Sequence, residues 1–231
     1  ETLMELFFAE VYTEGGRKFE NVQIGLGCDR ENEIDEIFFE RMGLTGTPAF
    51  EWLPETIKSV KMSMNCLSGS LNLQKFPDGI TFISLKENRL SGTISLLDLP
   101  GSLQEMHLGL NLLEGSLQLD HLPASMTRLD FDRNKFMGEI CLTSLPEGFL
   151  YLDVSQNALS GTPDFTNLPK TMKSLFLDSN AFRGVADFSK LPEGFTFLNV
   201  SETRLEGEVR IPRGATKYYV VFGSEVTLIQ E

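Results

Sequence analysis

Histidine and cysteine, the side chains most often recruited for proton transfer, nucleophilic attack and metal binding, are nearly missing from this chain: two and three among 231 residues. His107 and His121 lie fourteen residues apart, and no nucleophile, base and orienting group gather around either. Cys28, Cys66 and Cys141 are odd in number and separated by 38 and 75 residues, which fits neither a disulfide framework nor a metal-ligand spacing. No enzyme, no cofactor and no metal are therefore expected. The same cysteine usage favours a reducing compartment, and a cytoplasmic or intracellular location is the expectation. No apolar run approaches the length that crosses a bilayer, so no membrane span is expected. Basic residues are also short: the net charge is -13, against what a phosphate-contacting surface needs, and no nucleic acid partner is expected. The acid is uneven, with 12 Asp/Glu against 4 Lys/Arg in residues 1–52 alone.

What the chain does have is a period. Proline returns at 54, 77, 100, 123, 146, 169 and 192, glycine at 46, 69, 92, 115, 138, 161, 184 and 207, and asparagine at 65, 88, 111, 134, 157 and 180, always in steps of 23. In register the unit reads Leu-Pro-x-x-φ-x-x-φ-x-φ-x-x-Asn-x-φ-x-Gly-x-φ-x-φ-x-x, φ being apolar, and Leu145 to Asn167 is a clean copy. Alternation around Leu152 and Val154 predicts a short strand with one face inward, and neighbouring copies then pair as one parallel sheet. Pro-Asp-Gly at 77–79 and Pro-Glu-Gly at 146–148 and 192–194 predict corners, with glycine supplying a positive φ. Alternating residues after the recurring glycine, such as Leu71/Leu73, predict a second extended segment on the outer side. A lone unit cannot bury its own apolar faces, so stability requires stacking and covered ends.

Seven full units begin at Leu53, Phe76, Leu99, Leu122, Leu145, Leu168 and Leu191. A degraded eighth occupies 30–52, where Arg30-Glu31 replaces Leu-Pro and Met42 takes the asparagine position. Residues 1–29 read as an N-terminal cap: a helix through Leu3 to Val11, a Gly15-Gly16 break, then alternating Val22, Ile24 and Leu26. Residues 30–212 form the array. Residues 213–231 read as a C-terminal capping segment, with Tyr218 to Phe222 as a closing strand.

Residues 149–159 and 172–182 follow Leu-x-x-Leu-x-Leu-x-x-Asn-x-Leu, and on that motif the chain resembles the leucine-rich repeat family. The Leu-Pro-x-x-Leu opening is similar to repeats of protozoan and some bacterial members. The resemblance implies a β-rich α/β solenoid, a right-handed superhelix with a concave parallel sheet, a mostly extended second-strand convex side, and asparagine side chains bonding the backbone between coils. It also implies a protein-binding role. Cysteine-paired caps and any accompanying effector domain are absent from the motif's surroundings.

Positions flanking the two inward residues of each strand form three columns pointing from the concave face. Phe82, Arg128, Tyr151 and Phe197 stand in the first, His107, Asp130, Asp153 and Phe176 in the second, Asp132 and Asp178 in the third. Aromatic residues on such a surface are interface anchors, and the aspartates suit a Lys/Arg-bearing partner. The leading expectation is thus a non-enzymatic module whose concave face holds a basic, partly apolar protein segment. The alternative is a structural subunit contacting a larger assembly through the acidic cap and coil edges. Asp130-Phe-Asp132-Arg-Asn134 imitates the start of a calcium loop, but Lys135 stands in the glycine place and Cys141 in the glutamate place. Asn199-Val-Ser201 is a glycosylation sequon in form only, since it lies on the concave strand.

Overall fold

The computed structural model describes residues 3–19, 25–31, 33–214 and 216–230. Each 23-residue unit makes one coil carrying two short strands. The inner strands Ile34–Phe38, Ser59–Lys61, Phe82–Ser84, Glu105–His107, Arg128–Asp130, Tyr151–Asp153, Ser174–Phe176 and Phe197–Asn199 pair in parallel. Their middle residues (Val60, Ile83, Met106, Leu129, Leu152, Leu175 and Leu198) are buried and the flanking ones half-buried, as the alternation predicts, except for the buried Asp130. Partners here are 23 residues apart, Tyr151 opposite Ser174 for instance. Leu26–Cys28 adds an antiparallel strand at one edge and Tyr218–Val220 a parallel one at the other, giving ten strands.

The second sheet also has ten strands, from Val11–Tyr12 through Thr45–Gly46 and Ala158–Gly161 to Glu225–Gln230. Its strands end at or shortly after the recurring glycine rather than following it, which corrects the expected position. After the glycine come 3-10 turns, as at Leu73–Lys75 and Leu119–His121. Glycine is required at this corner: φ is +90 at Gly69, and a Cβ there would lie 2.6 Å from the Thr47 side chain of the preceding coil. Gly79, Gly148 and Gly194 are not among the positive-φ residues, so the reading of that turn is also corrected. In other coils Ser125 or Thr171 occupies the equivalent place and its hydroxyl donates back to the preceding coil, Ser125 Oγ to Leu103 O at 2.7 Å and Thr171 Oγ1 to Phe149 O at 2.9 Å.

The N-terminal helix runs only from Leu3 to Phe7, shorter than expected, because Val11 instead pairs across from Gly46. That approach is so close that a Cβ on Gly46 would sit 1.9 Å from Glu10 O. Phe7, Phe8 and Phe19 close the first coil by packing edge-on or tilted against Phe50 and Phe39. Val22 and Ile24 lie outside the described residues.

Between the two strands of each coil the chain makes a left-handed turn at a non-glycine residue, Met64 (φ 60) and Gln156 (φ 53) among them. This costly conformation turns the next residue, the repeat asparagine, inward. Asn111 Oδ1 accepts from Leu90 N at 2.9 Å, while its Nδ2 donates to Leu85 O and Leu108 O, each at 3.0 Å. Asn65, Asn88, Asn134, Asn157 and Asn180 repeat the pattern. Each asparagine therefore joins its coil to the one before. Replacing Asn111 by Ala strands the buried Leu90 amide, while Leu85 O and Leu108 O keep Asn88 and Asn134 as donors, and should cost about 1–3 kcal/mol in denaturant unfolding. Asn72, which caps a surface turn through Gln74 N, should lose under about 1 kcal/mol on the same change. Equal losses at the two sites would refute the special role of the ladder.

Candidate functional site: the concave sheet face

The inner sheet leaves a row of outward side chains on every strand, and they fall into two regions with different chemistry. In the N-terminal half Glu36, Asp130 and Asp132 each meet a lysine. Lys61 pairs with Glu36. Lys86 reaches across an intervening coil to Asp130 Oδ2 at 2.8 Å and Asp132 Oδ1 at 3.0 Å. His107 lies on Phe82, ring centres 5.4 Å apart, with Nε2 3.2 Å from Glu105 Oε2 and Nδ1 3.7 Å from Asp130 Oδ2.

The reach of Lys86 depends on Gly109, a residue that the repeat frame alone marks as nothing special. A Cβ at Gly109 would come within 1.9 Å of Asp132 Oδ1 and 3.1 Å of Asp130 Oδ1. Glycine there opens the slot that the two carboxylates and the ammonium fill. Asp130 and Asp132 are consequently buried, correcting their expected place on an open solvated surface. The third column is corrected in the same sense at Ser63, Asp132, Ser155 and Ser201, all buried. Burial acts to lower the Lys86 pKa, but hydrogen bonds to Asp130 and then Asp132 outweigh it and leave it raised.

The C-terminal half is different. Arg128 lays its guanidinium 3.7 Å from the Tyr151 ring centre. Tyr151 meets Phe176 at 5.3 Å, and Phe176 stacks on Phe197 at 4.6 Å and 25°. A cation and three rings thus form one row across four strands, half-buried by mutual contact. Phe38, at the other end of the sheet, stands alone and is 51% exposed.

Beside this row are two carboxylates. Asp153 accepts from Ser155 N at 3.0 Å, Ser155 Oγ at 2.6 Å and the Tyr151 hydroxyl at 3.3 Å. Asp178 accepts from Ser179 Oγ at 3.4 Å. Among the described residues no ion pair reaches either one. Burial, with a contribution from Asp130, raises the Asp153 pKa, and burial followed by the Asp153 charge raises that of Asp178. Burial and then the Asp153 and Asp130 carboxylates push the Tyr151 hydroxyl well above the usual phenol range.

The ten residues singled out in the sequence thus share one face without sharing one role. Phe82, His107, Asp130 and Asp132 belong to the self-neutralised half, while Arg128, Tyr151, Asp153, Phe176, Asp178 and Phe197 make the aromatic and acidic half. Lys86 and Gly109 escape a sequence reading because their effect needs three neighbouring coils at once. Among the described residues no group of three or more potential metal ligands occurs, and no helix is long and apolar enough to cross a membrane.

No protein-family model and no curated protein matches the chain. Solved structures do. The leucine-rich repeat ectodomain of the Arabidopsis thaliana receptor kinase GASSHO1/SCHENGEN3, in complex with Casparian strip integrity factor 2, is similar at 16% identity and a TM-score of 0.61, over 87% of this chain and 32% of that one. The chain therefore spans about a third of that ectodomain. Internalin C2 of Listeria monocytogenes is similar at 16% identity and a TM-score of 0.60, over 98% and 96% of the two chains. Pollen receptor kinase 3 shows 26% identity and a TM-score of 0.51, over 74% and 79%. With the repeat motif and the asparagine ladder, these neighbours define the chain as a leucine-rich repeat solenoid.

The two ion-pair settings should separate in stability measurements. Lys86→Met leaves Asp130 buried without its cation and should cost about 3 kcal/mol, the low end for breaking a buried pair because Lys86 itself is a third exposed. Lys61→Met breaks a partly exposed pair and should cost about 1 kcal/mol or less. A Lys86 variant as mild as the Lys61 variant would show that the three-coil bridge does not hold the fold.

Proposed function

We propose that this solenoid is a non-enzymatic binding module whose concave face, between Arg128 and Phe197, seats an extended, basic and partly apolar segment of a partner protein. The observation that carries this reading is the aromatic row Tyr151, Phe176 and Phe197 lying beside Asp153 and Asp178, two partly desolvated carboxylates without an ion-pair partner among the described residues. Half-buried rings supply rigid contact area at little entropic loss. A Lys or Arg from outside completes for Asp153 and Asp178 what Lys86 already does for Asp130 and Asp132. Parallel strands about 4.8 Å apart present this face as a long shallow strip, a shape suited to a peptide rather than a metabolite. The related ectodomain in complex with a partner factor supports the same kind of use.

The rival reading, a subunit held in an assembly through the acidic cap and coil edges, draws on the excess of Asp and Glu in residues 1–52 and on Tyr218 and Phe222, which are exposed at the last strand of the inner sheet. The two readings part on mutagenesis. With a cross-linked partner in hand, Tyr151→Ala or Phe176→Ala should weaken association by about tenfold or more, the effect of losing an interface anchor, and the Asp153→Lys, Asp178→Lys pair should abolish it. Glu10→Lys with Glu14→Lys in the cap should leave association within about twofold. The opposite result, with the cap variant losing the partner and the concave variants keeping it, would transfer the function to the edges.

A further inference from the structure

The slot above Gly109 contains an unsolved hydrogen-bonding problem. Asp130 is 5% exposed, and its Oδ1 is sealed from solvent with no hydrogen-bond partner among the described residues. Asp132 Oδ1 and Asp130 Oδ1 converge on the same point, within 1.9 and 3.1 Å of where a Gly109 Cβ would be. Ionised carboxylates are acceptors only, so neither can satisfy the other. Lys86 serves Asp130 through Oδ2, its other oxygen. We propose that Asp130 and Asp132 share one proton beneath Lys86, forming a proton-operated charge switch in the floor of the concave face.

The proton gives the orphaned Oδ1 its missing donor. It also balances the charge: one ammonium over a carboxyl and a carboxylate is neutral, whereas loss of the proton leaves the slot at one negative charge. The surroundings are mixed. Lys86 faces the pair from one coil, and His107 with Glu105 behind it from the next. Arg133, with Nε 3.9 Å from Asp132 Oδ2, shares their coil with Arg128, and Tyr151 and Asp153 face them from the following one. Burial and then the Asp130 carboxylate push Asp132 up to about 6. Burial acts to raise Asp130 as well, but its interactions with His107, Asp132 and Lys86 outweigh it and leave it well below the usual carboxylate range. The proton is thus assigned mainly to Asp132.

The sign of the linkage follows. A carboxyl whose folded pKa lies above its unfolded value stabilises the fold while protonated, and that contribution is lost as pH rises from about 4 to about 6. Carboxyl carbon NMR of the free wild-type protein should show Asp132 titrating near pH 6; titration below about pH 4.5 would overturn the proposal. Asp132→Asn keeps a donor for Asp130 and removes the titration. Its melting temperature relative to wild type should rise between pH 4.5 and pH 7.5, and a flat difference would count against the shared proton. Gly109→Ala, by forcing the two carboxyls apart, should return the Asp132 titration to the ordinary range.

If the concave face seats a basic segment, which rests on the function proposed above, affinity should increase several-fold from pH 5 to pH 7 and Asp132→Asn should reduce that increase. An elevated Asp132 titration with pH-independent affinity would leave the switch standing and count against the concave seat.

Discussion

Everything in this molecule rests on an amide side chain that can accept and donate at once. The strands are only three to five residues long on the inner side, and the left-handed turns between them would leave backbone groups buried with nothing to bond. Asparagine fits because its carbonyl oxygen reaches an amide in the preceding coil while its NH2 reaches carbonyls in both coils. Thr203, in the asparagine position of the last repeat, shows what is lost without the second arm. Its hydroxyl donates to Val200 O and accepts from Leu205 N, both within its own coil. Coupling between coils is therefore carried by a side-chain ladder running the length of the core, and the left-handed turns are held by it rather than by local preference.

Once the coils are fixed at this spacing, side chains one or two repeats apart come into contact, and the concave surface acquires properties that no single repeat has. Lys86 crosses over Gly109 to acids two coils away. Arg128, Tyr151, Phe176 and Phe197 form a continuous row because three of them share the first column on their strands and Phe176 reaches them from the adjacent second. The result is a polarised face, with lysines bound to acids at one end and, among the described residues, acids without an ion pair beside a strip of rings at the other. That polarity gives the proposed partner segment its location and chemistry.

Much of the fold was legible because the repeat is redundant. Seven copies of one apolar frame predicted the parallel inner sheet and the second extended side, and the family resemblance implied the asparagine bonding. The misplaced details were those that vary among copies or depend on contact. The helix ended at Phe7 because Val11 found a strand partner in Gly46, thirty-five residues away. Glycine in Pro-x-Gly is interchangeable with serine or threonine, since that corner needs little side-chain bulk and not a positive φ. The outer strands pair at 21 residues, not the 23 of the inner sheet, as with Ser160 opposite Ala181. This slip between repeat and hydrogen-bond register is invisible to periodicity.

The sequence by itself determined the architecture: a period of 23 with alternating apolar positions has no other compact solution, because only stacked coils bury both apolar sides of every unit. It also determined which residues vary on the outward positions. Only the tertiary structure decided what those residues are. Asp130 and Asp153 occupy the same column in consecutive repeats, yet one is buried under Lys86 and the other has no ion pair among the described residues. The physical reason is that burial and charge balance are set by neighbours across coils, through Gly109 and Lys86, while a repeat pattern records only position within a coil.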